Sequence, residues 1–238
     1  MGGPLTDPMT VVSPELLPRE FFAGSALSVA PGVLGCVLEH QTPEGLVAVE
    51  LTEVEAYQGS ADPASHSYRG RTARNGVMFG PPGHAYVYFT YGMHFCVNLV
   101  CSPEGTPTAV LLRAGRIVAG APLAAARRLA GRPAAAVPDR DLARGPARLC
   151  QALGIDRAQD GADVCVPGSP LRVRPARPAV PHDRVSQGPR VGVSRAADWP
   201  WRFWITGDPT VSAYRPHVPR IRPKPVSPPA TEGGTMGR

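Results

Sequence analysis

The sequence predicts a single domain of the broad α/β class, and more specifically an α+β domain. Its strands and helices are mixed, and most of its strands pair antiparallel. Two stretches, Leu46–Tyr57 and Ala85–Val100, are strand-like. Several other segments begin with proline, which favours the first turn of a helix. The length of 238 residues suits one domain. We expect this domain at 13–214, with a flexible N-terminus at 1–12 and a proline-rich, basic, disordered tail at 215–238.

The first quarter of the chain is expected to hold two helices and one long strand. Ser13-Pro14-Glu15 is typical of a helix start, with a serine cap, a proline at the first helical position and an acid in the first turn. A second helix is predicted at about Pro31–Leu38. Thr42–Gly45 is a predicted turn that leads into the strand Leu46–Tyr57.

The rest of the chain alternates predicted loops, strands and helices. Gln58–Gly83 is polar, glycine-rich and longer than an ordinary connection, so we expect a binding loop there. Ala85–Val100 is a predicted β-hairpin. The other predicted elements are a strand at Thr108–Arg113, helices at Pro122–Leu129 and Pro146–Leu153, and strands near Asp163–Val166, Arg190–Val193 and Arg202–Ile205.

Cysteine content and hydropathy limit the class of protein. The five cysteines form no CxxC pair and have no ligand-like spacing to histidine, so we expect reduced thiols, no metal and no cofactor. No segment approaches the ~20 consecutive apolar residues of a membrane span, and the start does not resemble a secretory signal. These observations predict a cytoplasmic protein without a membrane partner.

The charge is strongly basic and almost entirely due to arginine. The net charge is +6, with a sequence pI of about 9.4, and Lys224 in the tail is the single lysine. Such a balance suits an anionic partner such as nucleic acid, although a hydrated basic surface would give the same numbers.

The strand Leu46–Tyr57 brings two acids to its end. With unbroken alternation, its apolar face continues into Glu53, Glu55 and Tyr57, whereas a bulge at Thr52 would break this parity. A carboxylate at the floor of a cleft could act as a general base, with the adjacent tyrosine as a stacking wall. The alternative is that the strand end reaches solvent and the acids are hydrated.

The register of the hairpin decides which of its side chains meet. If the loop is odd, such as Tyr91-Gly92-Met93, Tyr88 and Asn98 share a face. An even loop would place Tyr88 opposite Val97 instead. At the tip, Tyr91 either folds back onto the sheet or projects as a wedge that could enter a stack of bases.

Six stretches of the chain together resemble the alkyladenine (3-methyladenine) DNA glycosylases of the mammalian type. They occur in that family's order and cover most of residues 15–212. They are EVEAYQG (53–59), the histidine of ASHSYRGRTARN (64–75), MFGPPGHAYVYFTYGMHFCVN (78–98), VLLRA (110–114), GPARLCQALGI (145–155) and PRVGVSRAADWPWRFWITG (189–207).

The resemblance implies a fold and a function. The fold is a compact domain with a curved, mostly antiparallel sheet, a protruding β-hairpin and surrounding helices. The function is that of a monofunctional DNA glycosylase of base excision repair. It would flip 3-methyladenine, 7-methylguanine, hypoxanthine or ethenoadenine out of double-stranded DNA and hydrolyse the N-glycosidic bond. We expect a monomer associated with the nucleoid.

The resemblance also implies roles for individual residues. Glu55 matches the carboxylate that activates water, and Tyr91 matches the tyrosine inserted where the base has left. The base-binding pocket would consist of Tyr57, His66, Tyr88 and Asn98, of which the asparagine crowds the exocyclic amino group of guanine. The predicted DNA contacts are Arg113, Arg74, Gly145 and Arg148.

The chain departs from the family pattern at two places. Two extra residues lie between Asn98 and Arg113, in CSPEGTP, and Arg148 stands where the family often has lysine. A phosphate contact survives the second change, since both side chains are cationic.

Two features bear on the choice between this function and others. A glycosylase that nicks the strand attacks with an amine, and a single lysine in the tail predicts a water-only reaction.

A non-catalytic binder of damaged nucleic acid would not need Glu55. A carbohydrate hydrolase could use Glu53 and Glu55, about 6.6–7 Å apart along a strand, but both acids would then lie on one side of the bond.

Overall fold

The computed structural model describes residues 15–90, 92–130 and 137–218. Within these ranges it contains eight strands and three α-helices, which confirms a single α+β domain. The strands are β1 (Val37–Thr42), β2 (Gly45–Tyr57), β3 (Ala85–Thr90), β4 (His94–Cys101), β5 (Thr108–Ala119), β6 (Leu171–Arg174), β7 (Val185–Gly188) and β8 (Arg202–Ile205). The helices are α1 (Ala26–Val33), α2 (Ala121–Leu129) and α3 (Pro146–Leu153). Short 3₁₀ helices lie at Arg19–Phe22, Gly59–Ala61, Gly76–Phe79, Asp139–Asp141, Arg157–Gln159 and His182–Arg184.

The long strand β2 organises the sheet. The strand order is β3-β4-β5-β2-β1-β6, and every pair is antiparallel. On one side β2 pairs with β5. On the other side its first half pairs with β1, and Glu53–Glu55 pair with β8, which also pairs with β7. The end of β2, where the two acids lie, is therefore enclosed by β5 and β8.

The expected unbroken alternation along β2 is wrong, because the strand has a bulge at Thr52. Two steps along β2, from Leu51 to Glu53, match one step along β5. The main apolar core therefore continues from Leu51 to Val54 rather than to Glu53. Glu53 and Glu55 consequently turn to the face opposite the main core.

The helix predicted at Pro31–Leu38 lies earlier, as α1. The Ser25 side chain caps α1 by accepting a hydrogen bond from the Ser28 amide at 3.3 Å. Gly35 then takes a φ of 78°, in the left-handed region that favours glycine, and the chain continues into β1.

Other predicted elements differ at short or edge segments. The helix start at Ser13-Pro14-Glu15 lies mostly outside the described residues, and Glu15 is not helical. Asp163–Val166 and Arg190–Val193 are turns or irregular chain, whereas the four-residue strands β6 and β7 were not predicted. At Arg190–Val193 one amide donates to a buried carboxylate instead of to a neighbouring strand.

The strongest sequence patterns are confirmed. β2, the hairpin, α2 and α3 lie at or within a residue or two of their predicted bounds, and the strand predicted at Thr108–Arg113 extends to Ala119. Thr90 pairs with His94, so three residues separate the paired ends and the odd loop is confirmed. The phenyl rings of Phe89 and Phe95 pack together on one face, as that register requires.

Two apolar clusters support the sheet. In the main core α1 and α3 pack against β2, β4 and β5. A smaller cluster is formed by Met78, Tyr86, Val100 and Ala109, and Tyr88 packs against it. This second cluster fixes the side chains with which the hairpin reaches the site. None of the helices in the described ranges combines the length and apolar character needed to span a bilayer.

Candidate active site

A cavity of about 550 Å³ opens where the end of β2, the hairpin and two loops meet. Its lining includes all four residues predicted for the base pocket, Tyr57, His66, Tyr88 and Asn98, together with Arg113. The volume lies within the range of small-molecule sites. The predicted pocket residues are therefore brought together by the fold, although they come from four separate parts of the chain.

Glu55 lies directly beneath this cavity and is fully buried. Its Oε1 accepts a hydrogen bond from the Val191 amide at 2.7 Å and lies 3.3 Å from Nη1 of Arg113. Its Oε2 accepts a hydrogen bond from the Tyr57 hydroxyl at 2.8 Å. All three partners line the cavity. Because a carboxylate offers about four lone-pair positions, Glu55 can accept one further hydrogen bond.

Glu53 is also fully buried, and it accepts four hydrogen bonds. It accepts hydrogen bonds from Nε of Arg113 at 2.9 Å and Nε of Arg202 at 2.7 Å. The amide and hydroxyl of Ser212 donate two more, at 2.7 Å and 2.9 Å. Glu53 thus binds two guanidinium groups and fixes Arg113 under the cavity. The alternative in which both acids are hydrated is wrong for this chain.

The Tyr57 hydroxyl is a donor to Glu55 at neutral pH. Burial raises the pKa of Tyr57 well above its ordinary value, and the neighbouring Glu55 carboxylate raises it further. The phenol therefore stays protonated and holds one oxygen of the acid in place. On its ring, the guanidinium of Arg190 lies 4.6 Å from the centroid.

The opposite wall of the cavity is built from His66 and Tyr88. Their rings meet edge to face, with centroids 4.4 Å apart. Tyr86 lies behind them, with its hydroxyl 3.2 Å from Nδ1 of His66 and its ring stacked on Tyr88 at 5.6 Å. Loss of hydration lowers the pKa of His66, and the Arg74 guanidinium lowers it further, so the imidazole is neutral at pH 7.

Asn98 is held in one orientation at the cavity. Its Nδ2 donates to the carbonyl of Tyr86 across the hairpin at 3.1 Å, and only 5% of the residue is exposed. The amide oxygen and the second N–H of Nδ2 are therefore the polar groups that Asn98 can offer to a bound base.

Arg113 is a buried cation that is paired with two carboxylates, unlike a cation on the surface. The residue is 6% exposed, and its guanidinium is bound by Glu53 and Glu55. Burial lowers the pKa of Arg113, but the charges of Glu55 and Glu53 more than offset this and raise it above the ordinary value. A contact with DNA from this position stays a prediction.

The other predicted DNA contacts do not line the cavity themselves but are next to residues that do, Tyr88 and Pro146. Arg74 is exposed and donates to a carbonyl of β3 at 3.0 Å. Gly145 begins α3 with a φ of 117°, and Arg148 is exposed in the first turn of that helix. Tyr91 is outside the described residues.

Two groups of the site were not predicted from the sequence. The Val191 amide is a backbone group, and no side-chain pattern reveals it. The Tyr86 hydroxyl could have been found, because Tyr86 and Tyr88 are two residues apart on a strand and share a face. Over the ranges that the structure describes, no group of three or more His, Cys, Asp or Glu residues could hold a metal ion.

Comparison with known proteins identifies the family. A family model described as Methylpurine-DNA glycosylase (MPG) matches residues 20–209. A relative from Streptomyces avermitilis is 59% identical over 216 residues, which is 89% of this chain and 99% of the relative. A relative from Leifsonia xyli subsp. xyli is 52% identical over 203 residues, covering 84% of this chain and 92% of the relative. A relative from Mycobacterium tuberculosis is 53% identical over 174 residues, covering 71% of this chain and 81% of the relative.

Each of these relatives is provisionally named a 3-methyladenine DNA glycosylase. The family model spans most of the chain, and its residues include Glu55 and every residue that lines the cavity. The chain therefore belongs to the methylpurine-DNA glycosylase family.

Proposed function

We propose that this glycosylase removes alkylated and deaminated purines from double-stranded DNA by hydrolysis with a water molecule activated by Glu55. As a member of its family, the chain is a hydrolase of N-glycosyl bonds in DNA. The proposed substrates are 3-methyladenine, 7-methylguanine, hypoxanthine and ethenoadenine. The observation that carries the proposal is a buried carboxylate under a cavity whose walls are aromatic rings.

Glu55 has the partners that a general base for this reaction needs. The bond between the sugar and the base breaks through an oxocarbenium-like state, which a nearby carboxylate stabilises. Val191 and Arg113 hold one oxygen of Glu55, and Tyr57 holds the other. The remaining acceptor capacity is available for a water molecule, whose proton the carboxylate takes as water attacks C1′.

The walls favour a base that carries positive charge. A methylated purine such as 3-methyladenine is cationic, and cations bind well over electron-rich rings. Tyr57, His66 and Tyr88 offer such rings, and stacking contributes about 1–3 kcal/mol per base. Because His66 is neutral at pH 7, it does not repel a cationic base. Alkylated leaving groups already carry positive charge and need no acid.

Base extrusion needs compensation, because unpairing and unstacking cost a few kcal/mol. The proposed wedge is Tyr91, which lies outside the described residues and is assigned from the family resemblance. Arg74, Arg148 and the Gly145 backbone would bind phosphates, since Arg74 lies over the ring of Tyr88 and the other two are at the start of α3, whose Pro146 lines the cavity.

The reaction is proposed to be hydrolytic only. Strand nicking needs an amine that forms a Schiff base, and the sequence has a single lysine, Lys224. The cavity is lined by no lysine within the described residues. A borohydride-trapped adduct between the enzyme and DNA would contradict this part of the proposal.

The test is base release from duplex DNA that contains 3-methyladenine or hypoxanthine, followed by chromatography of the free bases. We expect the wild type to release both bases and to leave abasic sites in an intact strand. If neither base is released at enzyme excess, the proposed substrate class is wrong.

The other functions considered gain no support from the site. A paired-carboxylate mechanism on a sugar would need Glu53 as a free second acid, but its oxygens accept four hydrogen bonds. A pure binding protein would have no use for Glu55. We further propose a monomer that acts in the cytoplasm at the nucleoid, and sedimentation near the mass of 25.1 kDa would agree with it.

A further inference from the structure

An ion pair between Arg190 and Asp62 lies completely buried behind the cavity. Both side chains are 0% exposed. Nη1 of Arg190 donates to Oδ2 of Asp62 at 2.5 Å, and Nη2 donates to Oδ1 at 2.9 Å. Neither residue lines the cavity. Because desolvation of two charges is expensive, such a pair adds little net stability, so stability alone gives a poor account of its presence.

The guanidinium of Arg190 supports the ring of Tyr57. It lies between two aromatic rings, 4.6 Å from the centroid of Tyr57 and 5.1 Å from that of Trp201. Planar guanidinium groups pack well on such ring faces. Tyr57 lines the cavity and Arg190 does not, so Arg190 holds the ring from behind. A change of the Tyr57 side chain about χ1 would break both this contact and the hydrogen bond to Glu55.

The same side chain anchors the backbone that binds Glu55. Arg190 directly precedes Val191, whose amide donates to Oε1 of Glu55 at 2.7 Å. Val191 lies in no strand, so no ladder of hydrogen bonds fixes it. The ion pair, together with a hydrogen bond from Nη1 of Arg190 to the carbonyl of Ala56 at 3.1 Å, supplies that anchor.

Asp62 also binds the backbone of the loop that leads to His66, which lines the cavity. Its Oδ1 accepts a hydrogen bond from the Ala64 amide at 3.0 Å, and its Oδ2 accepts one from the Gln58 amide at 3.3 Å. These bonds fix the chain between Tyr57 and His66.

We propose that Arg190, paired with Asp62, is a positioning residue for hydrolysis: it holds the Tyr57 hydroxyl and the Val191 amide against Glu55. This inference rests on the proposed function, because it assigns Arg190 a role in the reaction of Glu55. Arg190 touches no reacting atom, and it acts through the two groups that orient the base.

The experiment compares Arg190→Met and Arg190→Lys with wild type and with Arg127→Met. Arg127 is a matched control, since its guanidinium binds Glu44 and the Leu153 carbonyl and does not line the cavity. Four quantities are measured: the unfolding midpoint, the dissociation constant for a hypoxanthine duplex, the single-turnover rate and the hydrogen-exchange rate of the Val191 amide.

In Arg190→Met we expect the single-turnover rate to fall by a factor of about ten to a hundred, as small misplacements of reacting groups do. The dissociation constant should stay within about threefold, because Arg190 does not line the cavity. The Val191 amide should exchange at least about tenfold faster. Arg190→Lys keeps the charge but loses the planar fork, so it should give smaller changes in the same direction. Arg127→Met should alter the midpoint only.

Wild-type exchange at Val191 in a folded Arg190 variant would overturn the positioning role, whether or not the enzyme releases any base. If the exchange is faster as expected but wild type releases no base, the proposed function fails and the anchoring of Val191 stands. If Arg190→Met does not fold, the exchange rate of the Val191 amide and the single-turnover rate are measured for Arg190→Lys instead, and they decide. Failure of both to fold would assign the pair a structural role and overturn the proposal.

Discussion

Two acids on one strand have the same burial and different environments. Glu53 and Glu55 are both fully buried at the end of β2. Glu53 accepts four hydrogen bonds, from Arg113, Arg202 and the amide and hydroxyl of Ser212. Glu55 is bound only by groups that line the cavity. Glu53 is therefore the structural acid and Glu55 the proposed base.

This division predicts losses of different size in the free energy of unfolding. Glu53→Gln leaves Arg113 and Arg202 without their shared carboxylate, and breaking a buried ion pair from one side costs about 3–5 kcal/mol. We expect a fall of that size in the free energy of unfolding, measured by urea denaturation. Glu55→Gln, as the matched isosteric control, should change it by less than half as much. Equal losses in the two variants would contradict the division.

A second residue-scale prediction concerns pH. His40 is buried, and burial lowers its pKa below the ordinary value of 6.5, with Arg127 contributing and the Leu153 carbonyl opposing. The unfolded chain therefore takes up a proton before the folded chain does, and stability should fall as pH drops from about 6.5 through the folded-state pKa. When urea unfolding is measured at pH 7.5 and 5.5, the free energy of unfolding should fall less between the two pH values for His40→Gln than for wild type.

The exposed His182 provides the control for this measurement. His182→Gln should keep the wild-type difference between the two pH values. If His40→Gln keeps it as well, the burial of His40 is not the cause of the pH dependence.

At the residue scale, the sequence predicted the pocket side chains better than their partners. Glu55, Tyr57, His66, Tyr88 and Asn98 lie together around or beneath one cavity, and their roles stay a prediction. The Val191 amide and the Arg190 guanidinium were missed, because each acts through a contact far away in sequence. Such contacts depend on tertiary packing, which local patterns do not contain.

At the element scale, the bulge in β2 decides which face the acids take. The extra residue at Thr52 moves Val54 into the core and Glu55 away from it. Alternation alone predicted the opposite face. The hairpin itself was predicted correctly, whereas its register was left open between an odd and an even loop; the structure has the odd loop, which places Phe89 beside Phe95.

The close approach of β5 to β2 at the bulge yields an element-scale prediction. A Cβ added at Gly115 would lie 2.3 Å from the Glu50 carbonyl oxygen and 2.4 Å from a methyl group of Val49. Gly115→Ala should therefore lower the free energy of unfolding by about 1–3 kcal/mol, as overpacking does. Gly168→Ala is the control, since nothing lies within 4 Å of its added Cβ. A Gly115 variant as stable as this control would show that the strands separate easily there.

At the scale of the whole molecule, the net charge of +6 supports binding to a polyanion. Affinity for duplex DNA should fall with salt, because phosphate contacts release counterions. Arg148→Ala should weaken binding and reduce the slope of log K against log salt by about 1. Arg177 is a control, since its side chain is 68% exposed and lines a different groove. Equal slopes for Arg148→Ala and wild type would remove Arg148 from the DNA interface.

The most direct test of Glu55 as the general base is single-turnover release of hypoxanthine and 3-methyladenine by Glu55→Gln. The enzyme is held in excess over the duplex, and binding is measured in parallel by gel shift. Because glutamine keeps the shape of Glu55 but cannot take a proton from water, we expect DNA binding to persist and base release to be abolished. Normal release of both bases by a folded Glu55→Gln variant would contradict the assignment of Glu55 as the base.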